Sequence, residues 1–192
     1  MREVKNYLGL SQILLLGLLL ICSFIVPSVA ISNGGASNFG NHLSTVVLYI
    51  LSFSLCSFFL ILAAVKLIQM SRSLRIVAGL LLLLSLLYML VLISTFPRRI
   101  SWTYSVIHDD LAIILFAYEF LLSLWLVVKP NNINVIAAFL IELGGSFIAL
   151  LTVLNFFNLL FVGQTVAGLG FALLLITRLP YKAELILTKK KL

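Results

Sequence analysis

The sequence predicts an all-α integral membrane bundle of six transmembrane helices, and three observations carry that reading. Hydrophobic residues make up 62% of the 192 and charged residues only 10%, whereas soluble domains hold about 45–50% apolar and about 25% charged residues. The mean hydropathy is +1.22. Six apolar stretches of membrane-crossing length, roughly 20 residues each, use up the chain. Residues 1–192 therefore form one transmembrane domain, with no room for a soluble one.

The first span covers residues 7–31. Arg2 and Lys5 before it, and "PSVA" (27–30) at its end, also fit a cleaved signal peptide. The apolar stretch is long for such a segment, which favours a retained helix. "ISNGGASNFGNH" (31–42) follows as a polar, glycine-rich loop whose glycines permit tight turns. It holds no N-x-[ST] acceptor. The second span covers 44–69, the third 75–96 and the fourth 103–128. "KPNNIN" (129–134) is a sharp turn, with Pro130 as the break. The fifth span covers 133–154 and the sixth 157–179. Between them "NFFN" (155–158) leaves room only for a tight turn, so these two form an antiparallel hairpin. No internal repeat is visible.

Lys and Arg set the orientation. Arg2, Lys5, Lys66, Arg72, Arg75, Lys129, Arg178, Lys182, Lys189, Lys190 and Lys191 fall on one side of the six spans, and only Arg98 and Arg99 on the other. This asymmetry predicts a multi-pass protein of the cell membrane with both termini cytoplasmic. The tail "TKKKL" belongs to the same pattern; in a eukaryotic host it would also read as a dilysine retrieval signal. The formal charge of +7 does not point to nucleic acid. The basic residues lie between and after hydrophobic spans and form no free basic surface.

Membrane lipids are the expected partners. Gly144, Gly145 and Ala149 in the fifth span, and Gly163, Ala167, Gly168 and Ala172 in the sixth, have the spacing that lets helix backbones approach closely. Packing within the bundle explains them. A homo-oligomer contact or a partner membrane subunit is the alternative. Cys22 and Cys56 lie in apolar segments and act as small hydrophobes. Two thiols are too few for a disulfide framework or a zinc site.

The stretch that points beyond architecture is "IHDDLAIILFAYEF" (107–120) in the fourth span. An Asp at mid-helix costs roughly 2.5–3.5 kcal/mol on insertion scales, so such groups face the bundle or water. His108 and Glu119 are eleven residues apart, which puts them on one helix face about 16 Å apart in height, with Ala112 and Leu115 between. Asp109 is rotated about a quarter turn from His108, and Asp110 lies roughly opposite Glu119.

Depth separates these groups into two sets. His108, Asp109 and Asp110 lie near the outer boundary, level with Arg98 and Arg99, with Asn41 and His42 at the start of the second span, and with Gln164 in the outer half of the sixth. Together they could line an outward-open polar pocket, with Arg–carboxylate pairing. Glu119 and Glu142 both lie about 13 Å from the cytoplasmic helix ends. If they face each other, a shared proton or a bound cation would stabilise the pair, because two like charges cannot both ionise cheaply. There are plainer readings too. Asp109 and Asp110 favour the helix dipole and could pair structurally with Arg98 and Arg99. Glu142 could bond a backbone carbonyl or Gln164.

No cofactor or metal is expected. Zinc hydrolases of the membrane ceramidase type need several histidines, and this chain has two. A metal held by His42, His108 and an aspartate has no support in the spacing. His42 and His108 could in principle clamp one haem. Nucleophile triads and phosphate loops are absent from the sequence.

"FPRR" (96–99), followed by "IHDDLA" (107–112), resembles a motif of the six-helix prokaryotic membrane proteins grouped as domain of unknown function 998, which are distantly similar to Frag1/DRAM-type proteins. In that family a Phe-Pro ends helix three, an Ile-His opens helix four, and a Ser/Gly/Asn loop follows helix one; "SNGGASNFGNH" fits that loop. The specific part of the resemblance covers about fifteen residues. It marks Phe96, Pro97 and His108 as signature positions, while Ser94-Thr95 stand where that family usually has Gly. The resemblance implies a six-helix fold and a membrane location, and no activity.

Three function classes follow, in order. The first is a binding or accessory protein recognising a lipid headgroup, small polar ligand or partner subunit through Arg98, Arg99, His108, Asp109, Asp110, His42 and Asn41. The second is a proton-coupled small-solute transporter using Glu119 and Glu142, with Gln164. A membrane enzyme or single-haem protein comes third.

Overall fold

The computed structural model describes all residues except 33–34, 98–99, 129–131 and 190–192. Six helices are long and apolar enough to cross a membrane. They are α1 (Arg2–Ile25), α3 (Val46–Met70), α4 (Arg75–Thr95), α5 (Trp102–Val127), α6 (Ile133–Val153) and α7 (Leu160–Lys189). The short α2 (Pro27–Ala30) follows α1, and 3-10 turns cover Ala36–Asn41 and Arg72–Leu74.

Local chemistry fixes several boundaries. α1 stops at Val26 because Pro27 begins a new helical turn, where its missing N–H costs nothing. Ser101 accepts from the Tyr104 amide to start α5, and Asn132 accepts from the Asn134 amide to start α6. At the α6–α7 turn, Asn155 adopts φ 64° and the Phe156 amide reaches back to the Leu151 carbonyl. The hairpin expected there is present.

Two ends differ from the expected spans. α1 begins at Arg2 rather than residue 7, since its polar first turns pack on α3: Glu3 pairs with Lys66 at 2.6 Å, and Val4 is fully buried. The sixth helix continues ten residues past Leu179, through Pro180. A proline removes one backbone bond. Here tertiary contacts carry the helix onward, with Leu179 and Ala183 fully buried.

Five helices close into a ring, in the order α1, α3, α4, α5, α7 and back to α1, while α6 lies outside and packs on α7. Although consecutive, α5 and α6 barely touch. Side-chain hydroxyls bond across the ring. Ser57 of α3 donates to the Ser85 carbonyl of α4, and Ser85 donates to the Ser57 carbonyl, at 3.2 and 3.1 Å. The Tyr118 hydroxyl of α5 donates to the Leu80 carbonyl of α4 at 2.7 Å.

The α6–α7 seam is made of backbone. A Cβ on Gly145 would lie 2.1 Å from the Ala167 nitrogen, and one on Gly163 would lie 2.6 Å from the Ala149 nitrogen. Gly170 meets Glu142 and Ala138 in the same way. Lipid gives helices no hydrophobic drive to associate, so this close approach is what holds the pair. Gly144 has open space around it, and Gly168 faces Leu16 of α1. These two are not part of the seam.

Candidate functional site

A cavity of about 130 Å³ lies inside the ring, in the half of the bundle distal to the N-terminus. All five ring helices line it, together with the loop turn at Ala36 and Ser37; α6 contributes nothing. One wall is the predicted face of α5: His108, Ala112, Leu115 and Glu119 all border the cavity, with Phe116 beside them. A helix repeats its face every three to four residues, so a polar residue at each end of that stripe reaches one space at two heights.

At the deep end, the Tyr88 hydroxyl of α4 donates to Oε1 of Glu119 at 2.5 Å. Gln12 of α1 lines the cavity at this end, its amide donating to Ser11 at 3.4 Å. At the distal end, His108 is buried, and its Nδ1 lies 2.9 Å from Ser94 Oγ of α4. Tyr49 of α3, also on the wall, bonds Thr95 Oγ1 at 2.9 Å.

The loop between α2 and α3 caps this end. Phe39 is fully buried and sits edge-on to Phe161 of α7, with ring centres 5.0 Å apart. Gly40 lies where any Cβ would come within 2.8 Å of Tyr49 and Thr95. The Ala36 amide donates to Gln164 Oε1 of α7 at 2.9 Å, latching the cap to the ring. Gly35 makes that turn with φ 61°, a conformation glycine adopts freely.

Several expected site residues lie elsewhere. Asp109 and Asp110 are exposed on α5 and do not border the cavity, because they follow His108 by about 100° and 200° around the helix. His42 is exposed at the end of the cap and does not border the cavity, whereas His108 is buried on its wall. Asn41 is half-buried in the cap and off the cavity wall. Arg98 and Arg99 lie outside the described residues, and with them the expected Arg–Asp pairing. Among the described residues, no group of three or more His, Cys, Asp or Glu could hold a metal ion.

The two glutamates occupy different surroundings. Glu119 faces the cavity, whereas Glu142 is buried at the α6–α7 crossing and does not border the cavity. Gln164 serves the cap, so the polar side chain beside Glu142 is Ser123 of α5. Ser123 Oγ and Glu142 Oε2 are both buried, and neither makes a well-formed hydrogen bond among the described residues, although the two side chains are neighbours.

Gln12, Tyr49 and Tyr88 were not among the residues expected at the site. Each is a polar group within an apolar run, and that was the available signal: Gln12 interrupts "LGLSQILLLG". At the opposite end of the bundle, α7 caps α5. The buried Arg178 donates to the Leu126 carbonyl at 3.3 Å, and Lys182 donates to the Val128 carbonyl at 3.1 Å, as suits the negative end of a helix.

Compared with protein-family models, curated proteins and solved structures, the chain matches none.

Proposed function

We propose that this is a cell-membrane protein, both termini cytoplasmic, that binds a small ligand reaching the ring cavity from the external side. The observation behind this reading is the cavity wall. An otherwise apolar space has His108 at one end and Glu119 with Tyr88 at the other, under a latched cap. Pockets that bind small molecules combine an apolar lining with a few placed polar groups. The test is native mass spectrometry of the protein in mild detergent, with metal analysis of the same sample. A retained small molecule or lipid, lost on Ala112→Phe, supports the reading. Bare wild-type protein overturns it.

Bare protein would favour a second reading, a proton-coupled carrier using Glu119 and Glu142. Its support is the buried Glu142 carboxyl beside Ser123 Oγ, with Oε2 lacking a well-formed hydrogen bond among the described residues. A carrier should lose proton-dependent uptake on Glu142→Gln while keeping its fold; unchanged uptake removes this reading.

A further inference from the structure

We infer that the cavity takes a small organic ammonium ion, one positive nitrogen on a compact aromatic or branched apolar body. The inference rests on the binding reading above and adds the chemical class of the ligand.

Glu119 places a carboxyl group at the deep end. Its one hydrogen-bond donor among the described residues is the neutral Tyr88 hydroxyl, on Oε1, and none of the described residues brings it a positive charge or a donor to Oε2. Among the described residues no Lys or Arg lines the cavity, and His108, about 16 Å higher on α5, is the one wall residue that can carry a formal positive charge. An anion would therefore find no partner at the deep end.

An inorganic cation is a poor fit as well. It must exchange its water shell for several oxygen ligands, and among the described residues the deep end offers one carboxylate, the Tyr88 hydroxyl and the Gln12 amide, set among rings and aliphatic groups. The remaining wall suits the other half of an organic cation. Phe53 lies between Tyr49 and Tyr88, at 4.9 and 5.9 Å between ring centres, and Phe116 and Phe161 complete an aromatic lining. Ring faces attract cations and shelter an apolar body. An ammonium group can donate to the free carboxyl oxygen while its hydrocarbon part lies against these rings.

The experiment compares three ligands of nearly one shape: benzylammonium, benzyl alcohol and benzoate. Each is titrated calorimetrically into the full-length protein in lipid nanodiscs, with empty nanodiscs as the blank. Benzylammonium should bind at least tenfold more tightly than benzyl alcohol, and benzoate should not bind. Glu119→Gln should remove the preference for benzylammonium over benzyl alcohol. Equal binding of amine and alcohol to the wild type overturns the ammonium inference and leaves the cavity a binding site. No binding by any of the three overturns both. The wild-type comparison decides the matter even if the Glu119→Gln variant does not fold.

Discussion

The Tyr88 hydroxyl and the Glu119 carboxyl join α4 to α5 at the deep end of the cavity. Tyr88→Phe keeps the ring and removes the donor, leaving the carboxyl without a partner. The expected cost is about 1–3 kcal/mol, the usual penalty for an unsatisfied buried polar group. Glu119→Gln can still accept from Tyr88 and should cost less. Thermal unfolding of both variants and of the double variant in one detergent measures the coupling; additive losses would mean that the bond contributes nothing.

Neighbouring glycines should behave in opposite ways. Gly145→Leu drives a side chain into the α7 backbone, whereas Gly144→Leu points into open space. The first should abolish or sharply reduce the yield of monodisperse protein, and the second should leave it near the wild-type level. Size-exclusion profiles of the two variants side by side are the check.

Ser57 and Ser85 exchange hydroxyl–carbonyl bonds between α3 and α4. Interhelical bonds in membranes contribute on average about 0.6 kcal/mol, up to about 1.7. Ser57→Ala and Ser85→Ala should each fall in that range, and resistance to denaturing detergent would report it.

Gln164→Ala removes the latch on the Ala36 amide. Amide hydrogen exchange should accelerate at residues 36–41 and stay unchanged in the middle of α3 and α4. Exchange rising equally across the bundle would show that Gln164 supports the whole fold and not the cap.

The proposed orientation has its own check. A cysteine at Ser44, exposed before α3, should react in intact cells with a membrane-impermeant maleimide. A cysteine at Asn134, exposed at the start of α6, should react only after permeabilisation. Cys22 and Cys56 are buried and give little background. The reverse pattern would invert the topology.

How far the sequence could be read depended on the range of the physics involved. Apolar length alone located the six helices, and helical periodicity alone placed His108, Ala112, Leu115 and Glu119 on a common face. Both properties are local to a segment. Which faces meet is not local. The choice of Tyr88 as partner of Glu119 and the exclusion of Glu142 from the cavity depend on how the ring closes, and consecutive α5 and α6 hardly touch in it. The small residues were legible as a class, but Gly170 belongs to the seam and Gly144 does not, a matter of helix rotation that spacing alone leaves open. The cap read as a polar loop because its composition is polar; the buried ring of Phe39 helps anchor it beside the Gln164 latch.

The ring joins α1 to α7, and this has a consequence for the order of assembly. A ribosome delivers α1 first and α7 last. Until α7 arrives, the α1 side chains Gln12, Leu15 and Leu19 border no finished cavity, and the cap has neither Gln164 to latch onto nor Phe161 to rest against. The closed cavity is thus absent from every intermediate that lacks α7. A chain stopped after α6 could hold five inserted helices and still lack the closed cavity.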